Sequence, residues 1–332
     1  MIVVLLSCLL GIVPMVVYAF VLWSFDRYEK EPWGLLLAAF LWGFVPSAAI
    51  ALIAQLILGI PAQAIFGANA FTEAIVEASF IAPITEEGIK GIGVLMVFLI
   101  FRREFDSAFD GILYGGLVGF GFAAIENVLY FFSTGDIGGV VALAFMRAFI
   151  FGLNHAFFTS LTGIGLALAR YQRSPALKIL YILLGFAAAV TAHGLHNLGA
   201  TYASEVTWLG LVFSWLLDST GIIFVFVVII LALRREGGWV ADHLQEEVRL
   251  GTLTESQLSV AKSAPAPLEQ SGPLPPTMRR AGLQAASTRQ DGRRRRQPGD
   301  HRAIARGGEG AESGCGMRRC LVAAFGDLRL GV

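Results

Sequence analysis

Charged residues are scarce in this chain. Asp, Glu, Lys and Arg make up 15% of its 332 residues, whereas 55% are hydrophobic and the mean hydropathy is +0.66. Soluble domains typically carry about 25% charged residues, so the composition excludes an ordinary soluble domain and favours an all-α, polytopic membrane helix bundle. The formal net charge is zero and indicates no charged partner. We expect contact with the lipid bilayer and with no nucleic acid.

Cysteines and N-terminal basic residues are also few. The three cysteines, Cys8, Cys315 and Cys320, predict no disulfide framework, and the close spacing of the last two is a weak metal signal. The N-terminus lacks the basic segment of a signal peptide, and its apolar run is too long for a signal-peptide core. We therefore interpret this run as a retained membrane span.

Seven apolar runs are long enough to cross a hydrocarbon core, which takes about 20 residues. They are Ile2–Trp23, Trp33–Ile60, Ala74–Phe101, Ile112–Phe132, Val140–Ala169, Ala176–Tyr202 and Trp208–Leu233. The connections alternate in charge: the first, third and fifth and the segment after the last span carry Lys or Arg, and the other three carry none. Because cytoplasmic loops are enriched in basic residues, we predict an outside N-terminus and a cytoplasmic C-terminus.

The composition changes after the last span, which ends the transmembrane domain at residues 1–235. Residues 236–261 are predicted to form a short amphipathic cytoplasmic segment. Residues 262–332 are rich in Arg, Gly and Pro and cannot bury enough apolar surface to offset the entropy of ordering. We predict a disordered tail there, and we interpret its arginine run at 293–296 as solvated rather than lipid-bound.

Ionisable residues inside the spans are few, because a charge at the bilayer centre costs about 2.5–3.5 kcal/mol on insertion scales. The helical rise puts Glu86, Glu126, His155, His193 and Asp218 about 9–22 Å from the outer ends of their spans. The others are Glu73, Glu77, Glu87, Lys90, Arg147 and His196. Five helices can thus contribute polar groups to one layer, which scattered structural residues would have no reason to share.

Helical spacing groups these residues further, since residues three or four apart share a face. Lys90 lies four residues after Glu86 and three after Glu87 and can pair with either. In "FAAIEN", Phe122 lies one turn before Glu126 and walls it from water. In "HGLHN" one face presents three polar side chains, those of His193, His196 and Asn197.

Structural roles remain open for each residue taken singly. The pairing of Glu86 with Lys90 could serve only to let the helix insert, and His155 and Asp218 could be interhelical hydrogen-bonding residues. Arg147 is interpreted as an interfacial or structural partner. Glu73 and Glu77 are expected at the wet outer boundary. Together, however, two helices with Glu and two with His favour a functional site over coincidence.

Two hydrolytic schemes fit carboxylates combined with imidazoles. In one, a glutamate activates water directly and His or Asn groups stabilise the oxyanion. In the other, Glu and His side chains hold a divalent metal that activates the water. The HExxH helix of common zinc proteases is absent from the sequence, as are the Ser–His and paired-Asp signatures of other intramembrane proteases. The glycines of Gly115–Gly121 form a strip that lets helices approach closely.

Several motifs in order resemble the PrsW intramembrane proteases, which are related to the CAAX-protease and bacteriocin-processing superfamily. They are "DRYEKEP", "EEGIK", "DGILYGGLVGFGFAAIEN", "LNHAFFTSLTGIGLA" and "HGLHN", and the resemblance covers about Met1–Val260. It implies cleavage of membrane-anchored proteins, such as anti-sigma factors, near the outer face of a bacterial cell membrane. The active-site set that it implies is Glu86, Glu87, Glu126, His155, His193 and Asn197.

We therefore predict an intramembrane endopeptidase that acts on a single-span membrane protein, with Glu86 or Glu87 as the base. Glu126 and His155 would position water or a metal, and His193 and Asn197 would bind the oxyanion. If a divalent metal such as zinc is the cofactor, its candidate ligands are Glu126, His155, His193 and His196. The alternative is a proton-coupled transporter or channel that uses the same Glu/His cluster as a relay, although the halves show no inverted repeat. A membrane scaffold ranks last.

Overall fold

Every regular secondary-structure element is a helix in the part of the chain that the computed structural model describes, residues 1–26, 30–251, 254, 255 and 258. Ten α-helices lie in this part: α1 Ile2–Ser24, α2 Trp33–Trp42, α3 Ala48–Phe66, α4 Ala70–Val76, α5 Ala82–Ile100, α6 Ala108–Ser133, α7 Ile137–Ala144, α8 Asn154–Arg170, α9 Pro175–Glu205 and α10 Leu209–Arg249. The predicted all-α bundle is confirmed. The tail predicted at 262–332 lies outside the described residues.

Three π-helical turns extend these helices into longer rods. Gly43–Ser47 joins α2 to α3, Glu77–Ile81 joins α4 to α5, and Phe145–Ile150 extends α7 toward α8. A π turn widens the helix and leaves its backbone bonding irregular, and such turns are frequent near functional sites. Two of the three contribute groups to the site described below.

Six helical stretches are long and apolar enough to cross a membrane: Ile2–Ser24, Trp33–Phe66, Ala108–Ser133, Ile137–Arg170, Pro175–Glu205 and Leu209–Arg235. The rod from Ala70 to Ile100 has a similar length but carries five charged residues, and with it the bundle has the predicted seven spans. The chain is thus an integral membrane protein. Helix α10 continues unbroken to Arg249, so the predicted amphipathic segment at 236–261 begins inside a helix.

Helix α6 is the centre of the bundle and is buried over most of its length. Its glycines replace side chains where neighbouring backbones pass. A Cβ added at Gly115 would lie 2.7 Å from the Thr159 carbonyl oxygen on α8, and one at Gly119 would overlap the His155 carbonyl. The predicted small-residue strip therefore brings α6 and α8 into backbone contact, which sets the register of Glu126 against His155.

The loop after α1 is hydrogen-bonded to α6, and the loops after α5 and α8 are hydrogen-bonded to each other. The Tyr114 hydroxyl donates to Glu31 Oε2 at 2.6 Å, and the Glu31 N–H donates to Asp26 Oδ2 at 2.9 Å. The Tyr171 hydroxyl donates to the Asp106 carbonyl. These are the connections that carry basic residues in the sequence, so the contacts agree with loops that share one side of the membrane.

Close helix packing predicts the effect of a single methyl group at Gly163, which faces Gly111 across the α6–α8 contact. Gly163→Ala would push its Cβ into the Gly111 carbonyl. We expect a loss of about 1–3 kcal/mol of stability, measured as a lower thermal midpoint in detergent. Gly34→Ala is the matched control, since a Cβ there has nothing within 4 Å. Equal midpoints for the two variants would contradict the packing.

Glu31 predicts a pH dependence of stability. Burial raises the pKa of Glu31 from 4.5 to about 8, despite the opposing hydrogen bond from Tyr114. The folded protein therefore holds a proton that the unfolded chain loses above pH 4.5, so stability falls as the pH rises toward about 8. We expect Glu31→Gln to lose this part of the decline in thermal midpoint between pH 5 and pH 8.5. Parallel pH profiles for wild type and variant would argue against a buried, protonated Glu31.

Candidate active site

Three charged side chains of α5 point into the bundle instead of toward lipid. Glu86 is 6% exposed, and Glu87 and Lys90 are fully buried. Gly91 and Val94 continue the same buried face. The i, i+3, i+4 spacing that the sequence shows therefore lies on the interior side of the helix.

Lys90 is the hub of this buried cluster. Its Nζ lies 2.8 Å from Glu87 Oε1, 3.3 Å from Glu86 Oε2 and 3.0 Å from His155 Nδ1. It also lies 3.8 Å from the centre of the Phe122 ring, which adds a cation–π contact. An ammonium has three N–H donors, and each has an acceptor here. Lys90 was predicted to pair with either glutamate, and in the structure it contacts both.

These contacts determine the protonation of His155. Because an ammonium can only donate, His155 Nδ1 accepts from Lys90. The ring proton is then on Nε2, which lies 2.8 Å from Glu126 Oε2 and donates to it. Both ring nitrogens of His155 are therefore engaged, and this imidazole links the α5 charges to α6.

Arg147 is a site residue that the sequence analysis did not assign to the site. It lies in the π turn Phe145–Ile150, and its Nη2 is 2.5 Å from Glu126 Oε2. Its Nε donates to Asn127 Oδ1 at 3.0 Å, and its guanidinium lies over the Tyr130 ring. The position of a charged residue inside an apolar span was the signal that could have pointed to Arg147. The spacing of residues along the sequence, however, does not show which residue of another helix it contacts.

Glu87 and Glu86 have unequal surroundings. Glu87 accepts from Lys90, from the Thr159 hydroxyl at 2.9 Å and from His193 Nδ1 at 3.0 Å. Glu86 accepts from Lys90 and, at 3.1 Å, from the Gln55 side-chain amide of α3. Glu87 therefore uses three of its roughly four acceptor sites and is fully enclosed, whereas Glu86 uses two and lies at the edge of the cluster.

His193 faces Glu86 with its second nitrogen. Since a carboxylate only accepts, His193 Nδ1–H donates to Glu87, and a neutral ring keeps the lone pair on Nε2. That atom lies 3.8 Å from Glu86 Oε2. The ring stacks on Phe158 with a centroid distance of 4.8 Å, which fixes its plane.

His196 and Asn197 lie apart from this cluster. His196 Nδ1 is 2.7 Å from Asp218 Oδ2 of α10, and its Nε2 is 3.3 Å from the Asn154 amide. The Asn197 amide donates to the Ala78 carbonyl at 2.8 Å, within the π turn Glu77–Ile81. At 100° per residue, His196 is rotated by about 60° from His193, enough to direct it to another helix. The oxyanion role for Asn197 and the ligand role for His196 stay predictions.

Glu86, His155 and His193 form a group that could hold a metal ion, because each offers a ligand atom within 4.8 Å of the others. One carboxylate and two imidazoles are the donor set of many catalytic zinc sites, and a carboxylate on the far nitrogen of His193 is the usual outer-shell partner. Glu86 and His193 Nε2 have lone pairs available, and His155 Nδ1 would gain one if Lys90 withdrew. Of the four predicted ligands, this group shares His155 and His193, and Glu86 takes the place of Glu126.

Lys90→Met tests the hub by removing the charge at a similar volume. Two buried carboxylates would lose their cation, so we expect a loss of about 3–5 kcal/mol of stability, seen as a lower thermal midpoint in detergent. Lys178→Met, at an exposed position, is the control and should change little. Adding Glu87→Gln to Lys90→Met should recover part of the loss. Additive losses in the double variant would mean that the two charges do not interact.

Comparison with known proteins identifies the family of this chain. A profile of the family described as "PrsW family intramembrane metalloprotease" matches residues 31–233. The chain is 28% identical to the protease PrsW of Clostridioides difficile (strain 630) over 189 residues, 57% of this chain and 76% of that protein. It is 29% identical to the protease PrsW of Bacillus subtilis (strain 168) over 195 residues, 59% of this chain and 83% of that protein. It is 30% identical to that of Geobacillus kaustophilus (strain HTA426) over 187 residues, 56% and 76% of the two chains. No solved structure matches.

The family profile spans more than half of the chain and agrees with the resemblance that the sequence motifs show. The chain therefore belongs to the PrsW family of intramembrane proteases.

Proposed function

We propose that this protease hydrolyses peptide bonds of membrane-anchored proteins with Glu86 as the residue that activates water. The observation that carries this proposal is the unequal satisfaction of the two adjacent glutamates. Glu87 accepts from three donors, whereas Glu86 has spare lone pairs at the edge of the cluster. A general base needs a free lone pair within reach of water. Of the pair, Glu86 has fewer donors and is the one that is not fully buried.

Glu87 is a positioning residue in this scheme. It holds Lys90 and the Nδ1–H of His193, and through them it sets the two groups that face Glu86. Lys90 holds Glu86 through Oε2 and also orients His155. Glu126, held by Arg147, receives the other nitrogen of His155. Lys90 and His193, which lie next to Glu86, are thus each held in place by a further hydrogen bond to Glu87. Catalysis requires reacting groups to be held in this way.

The charges of the cluster support either hydrolytic scheme. Three carboxylates, Glu86, Glu87 and Glu126, face two cations, Lys90 and Arg147, which leaves one negative charge when both imidazoles are neutral. A divalent metal held by Glu86, His155 and His193 would change the net charge to +1, which favours deprotonation of a bound water to hydroxide at neutral pH. Without a metal, a proton on Glu86 or on an imidazole would balance the single negative charge, and Glu86 would act on water directly.

The proposed substrates are single-span membrane proteins, for example anti-sigma factors, cut near the outer face of the bacterial membrane. This follows the family resemblance and the basic residues of alternate loops, which favour an outside N-terminus and a cytoplasmic C-terminus. The bonds that join Glu31 to Tyr114 and Tyr171 to Asp106 support the shared side of those loops. The active-site cluster then belongs to the outer half of the membrane.

Glu86→Gln tests the proposed base, because glutamine keeps the shape of the side chain and lacks the basic carboxylate. Loss of a general base lowers the rate by about 10²–10⁴-fold, and we expect that loss in cleavage of a co-expressed single-span reporter. Glu205→Gln, exposed at the end of α9, should cleave as wild type does. Wild-type cleavage by Glu86→Gln, with normal insertion and thermal midpoint, would overturn the proposed role.

Metal content decides between the two schemes. If a metal is the cofactor, purified protein should contain about one equivalent of zinc or a similar ion, and His193→Ala should release it whether or not activity is assayed. Cleavage should then disappear after chelation and return with added metal. Full cleavage by metal-free protein would instead assign the chemistry to Glu86 alone.

A further inference from the structure

A cleft of about 490 Å³ opens between α3 and α4 and leads toward the active site. It is lined by Leu52, Gln55, Leu56, Gly59, Ile60, Gln63, Glu73, Glu77 and Ile81. Gln63 and Glu73 flank the α3–α4 turn, while Gln55 lies about 12 Å further along α3 at 1.5 Å per residue. The cleft therefore runs along the helices from the turn into the bundle.

Gln55, at the inner end of the cleft, joins the cleft to the proposed base. The Gln55 amide donates to Glu86 Oε1 at 3.1 Å and lies 3.4 Å from the Thr85 hydroxyl. Among the contacts that the described residues make with Glu86, this one comes from the cleft, whereas those of Lys90 and His193 come from the bundle interior. A molecule in the cleft would contact Gln55, whose amide lies next to Glu86.

The lining of the cleft has the chemistry to receive an unwound peptide. A peptide bond inside a membrane must leave its helix before it can be cut, and its freed N–H and C=O groups then need partners. Gln55 and Gln63 supply both donors and acceptors. Leu52, Leu56 and Ile60 supply apolar surface for side chains between these polar contacts.

Glu77 gives the cleft a preference for charge. A Cβ added at Gly59 would lie 3.3 Å from Glu77 Oε1, so the carboxylate crosses toward α3 where glycine leaves room for it. Glu73 lies one turn before it on the same face. The described residues of the lining include two carboxylates and no basic side chain, so the cleft complements a positively charged side chain.

We propose that this cleft binds the extended segment of the substrate on the α3–α4 side of the cut bond, and that it selects a Lys or Arg there. The inference rests on the proposed function. Glu77 precedes Glu86 by nine residues, about 13 Å along the helix, and an extended chain covers about 3.4 Å per residue. The selected Lys or Arg should therefore lie about three to five residues from the cut bond.

Cross-linking tests the binding step without relying on cleavage. The full chain would carry Glu86→Gln, with Cys8, Cys315 and Cys320 changed to Ser and one new cysteine at position 56 or 57. Leu56 and Ile57 are neighbours on α3 and are 65% and 62% exposed, but only Leu56 lines the cleft. The probe is a synthetic single-span peptide with one Lys and one cysteine in the flank on the α3–α4 side.

We expect the probe to form a disulfide with Leu56→Cys at least fivefold faster than with Ile57→Cys. Equal rates at both positions, or none at Leu56→Cys, would overturn the inference even if the enzyme cleaves its substrates. Conversely, selective cross-linking to a chain whose wild type cleaves no single-span reporter would support the cleft and count against the proposed function.

Charge selection is tested by the same cross-link with Lys, Gln or Glu in the probe flank. We expect Lys to exceed Gln by about fivefold, as one well-placed ion pair would give, and Glu to be lowest. Glu73→Gln with Glu77→Gln should bring the Lys and Gln probes within twofold of each other. The same change at Glu205 should leave the preference as it was. Persistence of the Lys preference in the double variant would overturn the assignment of these two carboxylates.

Discussion

The site depends on one buried ammonium. Lys90 lies within 3.3 Å of Glu86, Glu87 and His155, inside a membrane protein where each of those carboxylates alone would be costly to bury. Each charge is therefore stable in the bundle only when its partner of opposite charge is present, so the helices that carry these residues must pack together. Because Lys90 joins α5 to α8 through His155, the same contact that makes the glutamates tolerable also fixes two of the helices that form the active site.

Helix packing delivers the other participants to that ammonium. The glycine strip of α6 lets α8 approach to backbone contact, so Glu126 meets His155. The π turn after α7 brings Arg147 against Glu126, and α9 presents His193 to Glu87. The result gives two adjacent glutamates different surroundings: Glu87 is fully enclosed, and Glu86, the proposed base, lies at the edge of the cluster. The cleft beside the α3–α4 turn is joined to Glu86 through Gln55.

Much of this arrangement could be predicted from the sequence. Hydropathy predicted the helices and spans, and the i, i+3, i+4 spacing of Glu86, Glu87 and Lys90 predicted their pairing, because both depend on neighbouring residues of the chain. The common depth of Glu126, His155 and His193 predicted that they would meet. Partners across helices could not be predicted in the same way. Arg147 and Gln55 gave no local pattern, and the rotation that directs His196 to Asp218 and Asn197 to Ala78 follows from how α9 packs against its neighbours.

The central claim is that Lys90 and its two glutamates form one buried charge cluster in the membrane. The most direct measurement is solid-state NMR in lipid bilayers, with ¹⁵N at the lysine side chain and ¹³C at the glutamate carboxyl groups. The account predicts dipolar couplings from Lys90 Nζ to both Glu86 and Glu87, with the stronger coupling to Glu87, as the distances of 3.3 and 2.8 Å require. Lys90 without coupling to either carboxyl group, and exchanging freely with water, would contradict it.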